Sequence, residues 1–244
     1  MNQVSELPRI VIGIPGTWPD RSSIVAAIAQ RSGRYLFAGM ILMHIDTKWS
    51  CTLEIYDHDP EMRCAFEAAG GGRLPDSTLS EIERHTKTVY LIGDGGSFGN
   101  ARNLMHAARA LLKCGGLAVK IESSGVAHSA TQWCKLADDE LPLAVLNAFV
   151  TYVGGDGEFY SCGMHSIGHR DAVVTADISP SDAANLLHQF LRYIAFEEPT
   201  IHDNETFSID EGQPIFRVCK SPCTMFPADD LFYNPYGVWQ LSPA

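Results

Sequence analysis

The chain has 244 residues, 45% of them hydrophobic and 19% charged, the composition of an ordinary globular protein with ample material for a core. Its 18 basic against 29 acidic residues leave a formal charge of −11, and no Lys/Arg cluster occurs, which argues against a nucleic-acid partner. No apolar run reaches the ~20 residues of a membrane helix, so no membrane partner is expected.

The first ten residues, MNQVSELPRI, lack a basic stretch followed by an apolar one, so a signal peptide is not expected. Residues 9–14 (RIVIGI) read as a strand closed by Pro15-Gly16. Asp20 suits an N-cap for a helix whose apolar face is Ile24, Val25 and Ile28. Residues 34–45 and 51–57 are β-rich runs joined by a short polar link, predicting a hairpin. Asp59-Pro60 opens a helix that stops at Gly70-Gly71-Gly72, and a short helix over 76–85 leads into the strand TVYLIG at 88–93.

Beyond Gly93, the repeat of Ala101, Leu104, Met105, Ala108, Leu111 and Leu112 predicts an amphipathic helix ended by Gly115-Gly116. The strand LAVKI (117–121), a helix over 126–137 and a strand AFVTYV (148–153) are expected next. Gly154-Gly155-Asp156-Gly157 reads as a hairpin turn into EFYSCGM, and DAVVTAD as the strand after it. Ser179-Pro180 is an N-cap with proline at the first helical position, ahead of a helix with Ala184, Leu187, Leu191 and Ile194 on one face. Two short strands, near 206–209 and 214–219, precede a tail rich in proline and aromatics. The order predicts one α+β domain over residues 1–244, with mixed sheets and helices on one face. It divides into two roughly β-α-β-β-α-β halves, about 8–93 and 94–219, and a tail 220–244. A doubly wound α/β sheet is the alternative.

The strands 88–93 and 117–121 flank one helix, and such βαβ crossovers keep their strands parallel. The loops GDGGSFG (93–99) and ESSG (122–125) are therefore expected at the same end of the sheet, where ligands gather in open sheets. Asp94, Ser97, Glu122, Ser123, Ser124 and His128 are the candidate ligand-binding residues. Ser123 or Ser124 is expected to cap the helix beginning near Val126, with Glu122 at the mouth of a depression shared with Asp94 and Ser97. GDGGSFG has Phe98 where a dinucleotide fingerprint wants its third glycine, and it lacks a P-loop ending. No G-x-S-x-G elbow presents a nucleophilic serine. Cys162, His165 and His169, or Cys219 and Cys223, match no zinc spacing, so neither metal nor cofactor is expected. Gly163 and Gly168 bracket a turn, which makes His165 and His169 secondary candidates. Trp18, between two near prolines, is another: a lid over the core edge or a pocket wall. In the α+β arrangement it lies at the far end from the 93–99 loop. The seven cysteines, an odd number without paired spacing, are expected as reduced thiols in a cytoplasmic protein.

The stretches IPGTWPDR, KIESSGVAHSATQW and YSCGMHSIGHRDAVV resemble a bacterial family, domain of unknown function 4261, with signposts from about Ile10 to Ile194. That resemblance implies no activity, substrate or catalytic residue; small proteins of this type suggest, by analogy, an immunity or interaction factor. The expected function is non-catalytic binding of a protein or small-molecule partner. The alternative is a small-molecule enzyme, such as a hydrolase, using the loops after strands 88–93 and 117–121.

Overall fold

Strand β1 (Arg9–Gly16) sends Ile10, Ile12 and Ile14 into the core and turns Val11 and Gly13 to the opposite face, because side chains alternate along a strand. The computed structural model describes residues 7–155, 158–175 and 177–244, and among them β1 is the hub of a seven-stranded sheet. Its neighbours are β5 (Lys87–Asp94) on one side and β6 (Ala118–Ile121) on the other. Beyond β5 come β4 (Ser50–Asp57), β3 (Ile41–His44) and β2 (Tyr35–Ala38), and beyond β6 comes β7 (Val126–Ser129). Every pairing is antiparallel. Because β5 and β6 both oppose β1, they run parallel to each other one strand apart, as the βαβ reading requires.

Helix α4 (Phe98–Lys113) makes that crossover and buries Leu104, Ala108 and Leu111. Helix α1 (Arg21–Arg31), capped by Asp20, shares its core. Helices α2 (Met62–Gly70) and α3 (Asp76–Glu83) pack on the other face, through Met62, Phe66, Leu79 and Ile82 against Ala118 and Ala127. Helices therefore flank both faces of this sheet, not one. Alternation in β6 and β7 gives each face its own apolar residues, Val119 and Ile121 against Ala118, which two-sided cover needs.

A second sheet of six strands has the order β11 (Glu205–Phe207), β12 (Phe216–Ser221), β13 (Val238–Pro243), β10 (Asp171–Val174), β9 (Glu158–Cys162), β8 (Thr151–Gly155). Only β10 and β13 are parallel among its pairs. One face, with Ala172, Val174, Val218 and Leu241, joins the main core under α6 (Pro142–Phe149) and α7 (Pro180–Glu197). The other, with Tyr160, Val173 and Val238, is covered by Cys223, Met225, Phe226 and Tyr233 from the segment between β12 and β13. The fold class is α+β, with two sheets. The doubly wound alternative fails because β1 and β5 run in opposite directions.

Four elements differ from expectation. Residues 34–45 are a hairpin, β2 and β3, folded at Gly39 with φ +61, a conformation glycine adopts freely. Val126 opens β7, not a helix; α5 (Ala130–Asp138) begins four residues later, and Ser129 caps it by accepting from the Gln132 N–H at 3.2 Å. Ala148 and Phe149 end α6, whose first position is Pro142; Val150 is its extended C-cap, and β8 follows. The tail supplies a third strand, β13. The β8–β9 hairpin forms, with Asp156 and Gly157 of its expected turn outside the described residues, as is Ala176 of DAVVTAD.

Candidate functional site

The turn Glu122–Gly125 links β6 to β7, and Gly125 at φ +69 closes it with its N–H donating to the Ile121 carbonyl at 2.8 Å. Ser123 and Ser124 therefore cap no helix. Both are buried, and neither hydroxyl has a hydrogen-bond partner among the described residues. Ser124 lies against the second sheet: a Cβ placed on Gly163 would sit 2.9 Å from the Ser124 Cβ and 2.1 Å from the Phe149 carbonyl oxygen. Gly163, at φ +120, admits the approach only because it has no side chain.

After Gly163 the chain makes one 3-10 turn, Met164–Ile167, wholly buried between the sheets. The loop after β5 grips it from the other side. The Gly96 N–H donates to the His165 carbonyl at 3.2 Å, and a Cβ on Gly95 would stand 3.3 Å from the Ser166 Cα. The two sequence-predicted loops thus do share one end of the first sheet, with this turn wedged between them.

Asp171 anchors the wedge. One carboxylate oxygen accepts from the Ser161 hydroxyl at 2.9 Å and the Met164 N–H at 3.2 Å; the other accepts from the Asn234 amide at 2.6 Å. His165 Nδ1 stands 4.0 Å from the same carboxylate, and neither of its ring nitrogens has a hydrogen bond among the described residues. Such a buried polar junction is costly unless its members are paired, so Asp171 holds together β9, the turn and the segment carrying Asn234.

The remaining predicted residues are dispersed. Asp94 is exposed at the end of β5, and Ser97, also exposed, caps α4 by accepting from the Asn100 N–H at 3.1 Å. Glu122 turns to the far face of the first sheet, paired with Lys120 beside Gly13 and Tyr90. His128 is buried against Trp133 and donates from Nε2 to the Ala148 carbonyl at 2.9 Å. Burial lowers its basicity, against which the Ala148 bond works. His169 is half-buried, edge-on to Phe98. Trp18 lies at the opposite end of the sheet, donating from Nε1 to the Cys114 carbonyl at 2.9 Å and lying against Gly16 and Gly115. It is the lid, not a wall of this site.

A cleft of about 400 Å³ opens beside Ser124, between the turn after β6, the end of α2 and the edge strand β8 of the second sheet. That volume suits a small ligand. Ser124 and Thr151 give it hydroxyls, and Arg73, after the glycine C-cap of α2, is the one charged side chain among its described lining residues. Tyr160, Phe226 and Phe232 form its aromatic wall, Phe226 lying 6.2 Å from Tyr160 and 5.4 Å from Phe232 between ring centroids. Gly125 leaves room for Phe232, whose ring would meet a Cβ there at 3.6 Å. The Cys162 thiol also lines the cleft, and burial, then the Asp171 charge, pushes it up, so it stays protonated. Tyr152 reaches across to His188, its hydroxyl 3.0 Å from Nδ1. Of the six candidate ligand-binding residues read from the sequence only Ser124 lines this cleft, and Arg73, Tyr160, Phe226 and Phe232 were not among the candidates. The GGGR after α2 and the aromatic tail were visible signals, but nothing local joins them to residue 124.

No curated protein and no solved structure matches the chain. Residues 160–241, which run from β9 to β13 and include the turn, Asp171 and all three residues of the aromatic wall, match the family described as a domain of unknown function (DUF4261), and of the three stretches that carried the sequence resemblance only YSCGMHSIGHRDAVV falls inside the match.

Proposed function

We propose that the protein works by binding, and that the cleft beside Ser124 takes a small ligand with a planar apolar body and one anionic group. The observation that carries this is the pairing of a single guanidinium, Arg73, with the aromatic row Tyr160–Phe226–Phe232 over a buried, unpartnered Ser124 hydroxyl. A fork of N–H donors suits a carboxylate, stacked rings suit a planar body, and an idle buried hydroxyl gains from a ligand that bonds to it. Binding is favoured over hydrolysis because no imidazole nitrogen lies within hydrogen-bond reach of either buried serine hydroxyl, and the Cys162 thiol is held protonated.

Seven free cysteines support a reducing compartment, so we read the setting as cytoplasmic, and as bacterial from the family resemblance. Among the described residues no helix is long and apolar enough to cross a membrane. The test is a thermal-shift titration with 3-phenylpropionate and its neutral amide. At a hundredfold excess over Kd the acid should stabilise by about 2.7 kcal/mol, a rise of roughly 5–10 °C for a chain this size. Arg73→Gln should abolish the rise while leaving the unliganded Tm nearly unchanged. Equal shifts from acid and amide, or none from the acid, would refute the reading.

A further inference from the structure

We infer a second site, on the face of the first sheet that α4 does not cover, for an alkylammonium group. Alternation sends Val11 of β1, Glu54 and Tyr56 of β4, and Thr88, Tyr90 and Ile92 of β5 to this face. There they enclose a hollow of about 470 Å³, closed by Asp57 at the end of β4, Asp59 in the loop after it and Met62 of α2.

Three features specify the guest. The described lining holds three carboxylates, Glu54, Asp57 and Asp59, and no cationic side chain; the neighbouring Lys87 is already paired with Asp57. Glu54 and Asp59 keep free acceptor capacity, since Glu54 takes one bond from the Tyr56 hydroxyl at 2.8 Å and Asp59 one from the Glu61 N–H at 2.9 Å. The rings of Tyr56 and Tyr90 stand in T-shaped contact, at 87° with centroids 5.4 Å apart, and both line the hollow, which puts π-electron density beside the carboxylates where a cation would sit.

The third feature is independent of charge. Thr88 is 1% exposed, lines the hollow, and its hydroxyl has no hydrogen-bond partner among the described residues. A buried hydroxyl without a partner is costly, and an N–H donor arriving from the hollow would satisfy it. That selects an ammonium carrying hydrogens over a quaternary one. Met62, Val11 and Ile92 supply apolar contact for the methylenes behind the charge. Gly13 adjoins the hollow: a Cβ there would sit 3.0 Å from the Tyr90 ring, so the absence of a side chain leaves that ring its place beside β1.

A free amine and the lysine side chain of a protein partner share this chemistry. The experiment titrates pentylammonium, N-acetyl-lysine methylamide, tetramethylammonium and pentanol into the labelled protein, followed by amide shifts of Thr88, Tyr90 and Ile92. Saturable binding of pentylammonium or the lysine amide, at least about tenfold tighter than pentanol, is the expected result. The tighter of the two names the source. Glu54→Gln and Asp59→Asn should each weaken it by about tenfold, and Thr88→Val should weaken pentylammonium while leaving tetramethylammonium, which has no hydrogen to donate, unchanged. Each variant's amide spectrum away from the hollow shows that it is folded. Neither ammonium binding, pentanol binding as tightly, or tetramethylammonium binding best would overturn the proposal. Loss of 3-phenylpropionate binding bears only on the other cleft, which shares none of these residues.

Discussion

Asp171→Asn changes almost no volume, so its cost reports on the charge and hydrogen bonds of the junction and not on packing. The carboxylate takes two bonds on one oxygen, from Ser161 and Met164, and one on the other, from Asn234. An asparagine can keep its oxygen toward Ser161 and Met164, but its NH₂ then faces the Asn234 NH₂. Flipping Asn234 gives no relief, because its own oxygen accepts from the Tyr236 N–H at 2.9 Å and its amide donates to the His169 carbonyl at 3.0 Å. One charge-assisted bond is lost, two are weakened and a donor is stranded, which together cost about 2–4 kcal/mol. For a chain this size the Tm should fall by roughly 4–16 °C. Urea denaturation followed by tryptophan fluorescence measures it. Asp171→Asn with Asn234→Asp restores a donor–acceptor pair between the two positions but sets a carboxylate against the His169 carbonyl, so the double variant should recover only part of the loss. A single-variant cost below about 1 kcal/mol, or a strictly additive double variant, would refute the account of Asp171 as the anchor of the junction.

Leu104→Ala on α4, buried against the first sheet, should cost about 2–5 kcal/mol by urea denaturation, and a loss below about half a kilocalorie would mean the wrong helix face was assigned. Gly163→Ala forces a side chain 2.1 Å from a backbone oxygen at φ +120 and should cost about 3 kcal/mol or more, whereas Gly99→Ala inside α4, with one atom 4.0 Å away, should stabilise by about 0.4–1 kcal/mol. Similar Tm values for those two variants would contradict the packing described. Burial makes His85, His106, His128, His169 and His188 less basic than the ordinary imidazole value of 6.5. The unfolded chain then takes up protons first, so their contribution is complete above pH 6.5 and is lost as the pH falls below it. A urea midpoint that held steady or rose between about pH 7 and pH 5.5 would reject this.

Where a residue pattern is long and periodic, the structure follows it. The sixteen-residue α4 was legible in its body and its C-terminal end, because an apolar repeat and a Gly-Gly after it agree; Ser97, read as a ligand-binding candidate, caps its start. Four-residue elements were not. Val126–Ser129 is too short to establish period two, and its apolar start merges with the helix beyond it. The helix Pro142–Phe149 and the strand after it form one apolar run, split only by tertiary packing. The site divided in the same manner. The βαβ argument brought the 93–99 and 122–125 loops to one end, since chirality and direction decide that. What fills the space between them, a turn from residues 164–167, and what lines the cleft, Arg73 and Phe232, depend on contacts far apart in the chain. The glycines were visible throughout, but whether Gly163 marks a simple turn or a contact between sheets depends on where Phe149 and Ser124 lie, not on its neighbours in the chain.

The place of β13 bears on how the molecule is made. Every strand of the first sheet lies within residues 9–129, so that sheet can assemble while the rest of the chain is still being synthesised. The second cannot. Its strand 238–243 sits in the interior of the order, with β12 on one edge and β10 on the other. Until those six residues emerge, β10 and β12 each present an unpaired edge, and β11–β12 has nothing to join. A nascent chain therefore carries a finished sheet beside two open ones, a window in which chaperone capture or pairing between neighbouring chains competes with folding. Removing residues 238–243 would make that window permanent.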